Sequence, residues 1–326
     1  MVIAVSKKIL LGAGAALLAL TSLAIETVER MPQAQAHHTP GHGKQILIAQ
    51  NQSVPITVVF PSRSGVADLQ RKANAVGRFL SNELDTPVEA VVSDEAAAVV
   101  ALRANRANVA FLSSRPALKA EQQANARLYL AEVRPSYSGG HTYRSVMVVR
   151  KDSPLAAKAN SKQTLQQLRG KRMAFTSRTS GSGFIVPVGE LVKQGLVPNS
   201  DRLNFFGQVT YGGDYSKALQ SVLRGQADVA AVSEYALKPP YLTANEAQQL
   251  RVLYAVPGVP AHGVAIDDSV PAAQRTKLIA ALMKLNQPGN NKLLRDLYNS
   301  TQLVPINHDR HLQPMRDALQ RAGIKL

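Results

Sequence analysis

The 326-residue chain contains no cysteine and no tryptophan. Without cysteine there is no disulfide, no thiol nucleophile, no thiolate metal site and no residue to carry a bacterial lipid anchor. Aromatic residues make up 5% of the chain, and no basic run is interleaved with them, which removes the usual platform for nucleic acid. Acids are also scarce: 22 Asp+Glu stand against 38 Lys+Arg, a formal net charge of +16. The surplus cations are scattered, as at Arg71, Lys72, Arg103, Arg106, Lys158 and Lys217, so they read as a solvated surface or as a field that gathers small anions. Catalytic signatures are missing too. There is no G-x-S-x-G elbow, no H-E-x-x-H, no phosphate-binding loop with its lysine and no obvious acid pair. No cofactor is expected. No metal is expected either, since His308 and His311, with Asp309 between them, have no third ligand in view.

What is present begins with an export pattern. Lys7 and Lys8 precede an apolar stretch over 9–25, and Ala34-Gln35-Ala36 forms a small-residue cleavage site, so residues 1–36 read as a signal peptide. An uncleaved membrane anchor is the alternative. Residues 37–53, rich in His, Pro and Gly at their start, read as a flexible linker. The expected location is the periplasm.

Beyond the linker, strand and helix patterns alternate. Ile56–Pro61 is a strand, 65–84 a helix with apolar Leu69, Ala73, Val76 and Leu80, and the next strands are PVEAVVS and NVAFLS, separated by a helix over 94–105. Arg144–Lys151 is a longer apolar strand. This βαβαβ opening predicts a mainly parallel sheet. A second unit repeats the theme, with strands at Met173–Phe175 and Ala227–Ser233 and a helix over 215–225. Residues 103–114 (RANRANVAFLSS) echo 223–234 (LRGQADVAAVSE), each a helix end and polar turn before an apolar strand. Two α/β lobes with facing strand ends would enclose a cleft, where open α/β sheets bind ligands.

The most informative segment is 171–196. It reads as a strand, a turn over Thr176–Gly183 rich in hydroxyls and glycine, and a helix opening at Phe184. A helix start leaves N–H groups unpaired and carries partial positive charge, so it seats anions. Thr179, Ser180 and Ser182 offer hydroxyls, and Gly181 and Gly183 allow close approach of the backbone. Plain N-capping by serine is the other reading. Ser113, Ser114 and Arg115 follow the third strand at its carboxyl end, as Arg63 follows the first. Tyr143 and Tyr215 can donate O–H groups or simply pack.

Four segments, TYRSVMVVRKDSP, LRGKRMAFTSRTSGSGFIVP, GGDYSKALQSVLRGQADVAAV and VPGVPAHGVAIDDSVPAAQRTKLIAALMKL, occur in an order that resembles the PhnD-type periplasmic phosphonate-, phosphite- and phosphate-binding proteins of ABC importers. The resemblance covers 54–324. It implies a type II periplasmic-binding-protein fold: two α/β lobes joined by two crossover strands, near Val146–Arg150 and Leu253–Ala265, with the ligand between them. Lobe 1 is then 54–147 plus 258–326, and lobe 2 is 148–257. It further implies a monomeric, non-enzymatic solute-binding component that closes on a small oxyanion and docks on a permease in the inner membrane, with no nucleic-acid partner.

The family's Ser-Thr-Ser-Gly anion turn falls on Ser180, Gly181, Ser182 and Gly183. The middle hydroxyl is missing, with Thr179 just before the match. A family histidine falls on Tyr215 or Asp214, a family acid on Ser233 with Glu234 one step on, and a family tyrosine near Ala117. Loss of that acid and of aromatic surroundings points away from amine-bearing phosphonates. It points towards phosphate, phosphite or methylphosphonate, with Arg115 as a bidentate partner. Two other classes fit the same residues: a sensory anion-binding module of a membrane receptor, and an exported phosphate-ester hydrolase.

Overall fold

The computed structural model describes residues 54–62 and 67–326. The expected leader and linker, and Arg63, lie outside the described residues. The chain opens with strand β1 (Ile56–Pro61), helix α1 (Leu69–Leu84), β2 (Val88–Ser93), α2 (Glu95–Arg103), β3 (Val109–Leu112), α3 (Ser114–Ala124) and β4 (Arg127–Val133). It continues through β5 (Thr142–Arg150), α4 (Ser161–Gln166), β6 (Arg172–Phe175), α5 (Val186–Lys193), β7 (Gln208–Tyr211), α6 (Tyr215–Leu223), β8 (Val229–Ser233), α7 (Ala244–Gln248) and β9 (Leu250–Pro260). Last come β10 (Gly263–Ile266), α8 (Ala272–Met283), α9 (Asn291–Tyr298), β11 (Gln302–Pro305) and α10 (His308–Ala322). Among the described residues no helix is long and apolar enough to cross a membrane.

Two sheets form, with strand orders β11-β4-β10-β3-β1-β2 and β7-β6-β8-β5-β9. In each, the first strand of a βαβ unit sits between its parallel partners: β1 between β2 and β3, β6 between β7 and β8. The echo between 103–114 and 223–234 therefore marks equivalent places, the helix before and the third strand of each unit. The sheets are less parallel than expected. β10, arriving from the second lobe, inserts antiparallel between β3 and β4, and β11 runs against β4. In the second sheet β5 runs against both β8 and β9.

Sheet membership also moves the lobe boundaries. β5 and β9 pair with each other from Thr142↔Pro260 to Arg150↔Leu250, so both lie wholly in the second sheet. The expected divisions at 147/148 and 257/258 fall inside these strands. The chain passes between lobes at 134–141 and 261–262 instead. Nor does α10 belong to lobe 1 alone. His308 Nδ1 accepts the Leu128 N–H at 2.8 Å in the first lobe, while the Ala322 carbonyl accepts the Ser200 N–H at 2.9 Å in the second.

The cores follow from the patterns. The apolar face of α1, with Leu69, Ala73, Val76 and Leu80 buried, lies on the first sheet, where the rings of Phe60 and Phe111 stack at 5.0 Å. In the second lobe Phe175, at the end of β6, meets Phe184 edge-on at 5.0 Å. That contact pins the helix after β6 to its strand and so fixes the turn between them.

Candidate anion-binding cleft

A cleft of about 570 Å³ opens between the lobes at the carboxyl ends of β1, β3 and β6. Four helix starts converge on it: Glu95 and Ala96 of α2, Ser114 and Arg115 of α3, Ser180 and Gly181 before α5, and Asp214 and Tyr215 of α6. Each brings the positive end of a helix dipole and its unpaired N–H groups to the same space.

The start after β6 lies three residues earlier than the sequence suggested. A π-helical turn over Gly181–Ile185 precedes α5, and the Ile185 and Val186 N–H groups reach back five residues to the carbonyls of Ser180 and Gly181. Pro187 follows, which has no N–H to lose, so the wider turn passes into α5 without an orphaned donor there. Ser180 is the N-cap, its Oγ accepting the Gly183 N–H at 3.1 Å. The N–H groups of Gly181 and Ser182 have no partner among the described residues.

On the opposite wall Ser113 precedes α3 but does not cap it. Its N–H and Oγ both donate to the Glu95 carboxylate. The N–H groups of Ser114 and Arg115 are thereby left without a partner among the described residues. The Nε of Arg115 is buried and equally unpartnered. Burial pulls the Arg115 pKa down from the ordinary arginine value, which leaves a charged fork still lacking an acceptor.

Of the residues singled out from sequence, Thr179, Ser180, Gly181, Ser113, Ser114, Arg115, Tyr143 and Tyr215 line the cleft together. Ser182, Gly183 and Ser233 do not. Ser182 is fully buried, with Oγ 2.8 Å from Tyr215 Oη and its carbonyl accepting from Ser145 Oγ at 2.6 Å. Gly183 serves packing: a Cβ there would fall 2.2 Å from Thr176 Oγ1. Ser233 is buried at the end of β8, its Oγ without a partner among the described residues.

Several lining residues were not singled out. Tyr235 and Tyr241 join Tyr143 and Tyr215 around the cleft, with Tyr137 behind them. Ring centroids are 5.2 Å apart for Tyr143–Tyr235, 5.8 Å for Tyr215–Tyr235 and 5.7 Å for Tyr215–Tyr241. Five of the nine tyrosines thus meet here, although the chain is poor in aromatics. Burial, reinforced by neighbouring tyrosines, pushes Tyr143 and Tyr235 well above the usual phenol value, so both stay protonated. Lys119 and Arg134 add cations, and Glu95 and Asp214 add carboxylates. The expectation of a pocket without acid or aromatic surroundings is therefore corrected: both are supplied from other positions. One signal was in the sequence, since Tyr235 directly follows the strand end at Ser233–Glu234.

Glu234 does not face solvent. Its carboxylate, 8% exposed, accepts from the Ser138 N–H and Oγ and from the Arg144 N–H and Nε. Burial opposes its charge, but the Arg144 guanidinium and the Ser138 donors outweigh that and hold the carboxyl below its usual range. It ties one lobe-crossing segment to the second lobe. The second crossing is bound to the first, the Ala261 N–H donating to the His141 carbonyl at 3.1 Å. Elsewhere, Glu121, His308 and Asp309 come within 4.8 Å of one another. Both carboxylates already carry arginines, Arg316 on Glu121 and Arg127 on Asp309, each at 2.6 Å.

Two α/β lobes with a cleft at their facing strand ends define a solute-binding protein of the type II periplasmic fold. Residues 58–312 match the family described as ABC transporter, phosphonate, periplasmic substrate-binding protein, and the chain belongs to that family. The phosphonates-binding periplasmic protein of Escherichia coli K12 is 24% identical over 259 residues, 75% of this chain and 72% of its own length. Among solved structures, PhnD1 of Prochlorococcus marinus in complex with methylphosphonate superposes with a TM-score of 0.65 at 18% identity, covering 82% of this chain and 98% of that one. A binding-protein component of an ABC phosphonate transporter from Pseudomonas aeruginosa gives 0.64 at 20%, covering 83% and 87%. A Xanthomonas citri protein bound to ATP gives 0.68 at 19%, covering 83% and 98%.

Proposed function

We propose that this protein captures a small phosphorus oxyanion by closing its lobes, and passes it to an inner-membrane permease without chemical change. The observation that carries the reading is the convergence of four helix starts on one cleft. The oxygens are held by the N–H groups of Gly181, Ser114 and Arg115, by the hydroxyls of Thr179, Ser114, Tyr143 and Tyr215, and by the Arg115 guanidinium. Residues 1–36 direct export, and the protein works as a periplasmic monomer. Phosphonates are the preferred class, with phosphite and phosphate as inorganic relatives. Glu95 beside four tyrosines also suits an organic phosphonate bearing an ammonium group, by charge and by cation–π attraction.

Titration calorimetry on protein freed of co-purified ligand tests this, with methylphosphonate, 2-aminoethylphosphonate, phosphite, phosphate and sulfate. The expected result is saturable one-to-one binding of at least one phosphorus anion and none of sulfate. Heat from no phosphorus anion would overturn the ligand class. Phosphorus NMR of the bound ligand over a day is expected to show one unchanged species. A new signal would overturn binding without turnover.

A further inference from the structure

A second cavity of about 270 Å³ adjoins the cleft, and the two share Arg134, Tyr235 and Tyr241 as a common wall. Its charge is one-sided. Lys72 of α1, Lys238 after β8 and Arg295 of α9 line it with Arg134. Asp296 is the one acid among its described lining residues, and that carboxylate is already bonded by Lys292 Nζ. Lys72, Lys238 and Arg295 have no carboxylate partner among the described residues. Like charges gathered around a cavity repel one another and favour an anion between them.

Arg134 occupies the junction. It is 9% exposed, its Nε and Nη2 donate to the Glu132 carboxylate, and its guanidinium lies 5.4 Å from the centre of the Tyr137 ring. Glu132 also accepts from Ser300 Oγ at 2.9 Å, so both partners are held in place. Arg134 lines both cavities with its charge paired to Glu132, so the uncompensated cations of the annex are Lys72, Lys238 and Arg295. Lys72 and Arg295 belong to the first lobe and Lys238 to the second, so an anion in this annex touches both sides of the closing cleft.

Resting on the phosphonate reading of the main cleft, we propose that the annex is a second subsite, taking the distal anionic group of a two-headed ligand. The phosphonate sits among the helix starts, and a carboxylate or second phosphorus acid reaches past Arg134 to Lys72, Lys238 and Arg295. The ligand class is then an ω-acidic alkylphosphonate rather than a simple phosphorus anion.

The test is calorimetry with methylphosphonate against phosphonoacetate, 3-phosphonopropionate and 4-phosphonobutyrate, on the wild type and on the double variant Lys72→Ala/Lys238→Ala. The wild type is expected to bind one of the three acids at least tenfold more tightly than methylphosphonate. The double variant should lose most of that advantage while keeping its methylphosphonate affinity within about twofold. Arg295→Gln is a second, independent variant expected to act in the same direction. No preference for any two-headed acid, or an equal loss for both ligand types in the variants, overturns the annex and leaves the phosphonate cleft standing. Failure of the wild type to bind methylphosphonate or any of the acids overturns both readings.

Discussion

The Ser182 hydroxyl lies 2.8 Å from the Tyr215 hydroxyl, joining the turn after β6 to the first residue of α6. Ser182 is fully buried, so it acts on the cleft only through the phenol that it orients. Removing that phenol oxygen with Tyr215→Phe leaves Ser182 one partner short and takes a donor from the cleft wall. The expected cost is about 1 kcal/mol of stability. Phosphonate affinity is expected to fall by about five- to tenfold, since a lost bond to a charged ligand exceeds a neutral one. Calorimetry giving equal affinities would place this hydroxyl outside ligand contact.

Gly181 and Gly183 should respond differently to the same methyl group. A Cβ on Gly181 would meet only the flexible tip of Met315, at 2.9 Å, and lie 3.7 Å from Ser114 Oγ. Gly181→Ala is expected to melt within a few degrees of wild type yet bind phosphonate at least tenfold more weakly, because the methyl stands beside the open N–H groups. At Gly183 the Cβ would fall 2.2 Å from Thr176 Oγ1 and 2.5 Å from Thr176 Cβ. Overpacking of that kind costs about 1–3 kcal/mol, so Gly183→Ala should lower the melting temperature clearly. Identical melting of the two variants would refute the distinction.

Glu234 is expected to carry acid sensitivity at the crossing between lobes. Its carboxyl titrates below the usual range when folded, so its stabilisation is full above the ordinary glutamate value of about 4.3 and is lost as pH falls through the folded value. Glu234→Gln keeps the shape but not the charge facing Arg144. It should cost about 2 kcal/mol at pH 7, and wild type and variant should converge in melting temperature towards pH 3. Parallel curves would contradict this.

The histidines of α10 act at higher pH. Burial holds His308 and His311 below the usual histidine value, against the pull of Glu121 and Asp309 on His308 and of the Ala261 carbonyl on His311. Arg127 at His308, and His141 and His308 at His311, push the same way as burial. A depressed base pKa means that the unfolded chain binds more protons. Stability should therefore be complete above about pH 6.5 and decline as pH drops towards the folded values. Thermal melts at pH 7.5 and 5.5 should show this fall, and His308→Gln should shrink the difference. An unchanged difference would assign the effect to other groups.

The parts of the fold set by local pattern were legible. β1 has the expected bounds, and the echo of 103–114 in 223–234 marks equivalent helices and strands. Strand pairing was less so: β10 inserts between β3 and β4 from a distant part of the chain, and nothing local to VAI announces its direction. For the site, hydroxyl-rich strand ends pointed to six residues and two tyrosines were named beside them, and all eight line one cleft. The π-helical turn moved the helix start and buried Ser182, an effect of Phe184 packing and Pro187 that a simple turn-to-helix reading does not contain. Glu95 escaped because its role is to bind Ser113, a partner eighteen positions away. Tyr235 and Tyr241 escaped because single tyrosines carry no pattern until the fold collects them.

The four helix starts have a consequence for the empty protein as well. Each end carries roughly half a positive charge, and they face one another from both lobes across the gap. Like ends repel, and Glu95 and Asp214 in the same lining offset part of that repulsion. On the proposed function, an oxyanion between them would turn the repulsion into attraction, so the same dipoles that resist closure would favour it once a guest is seated.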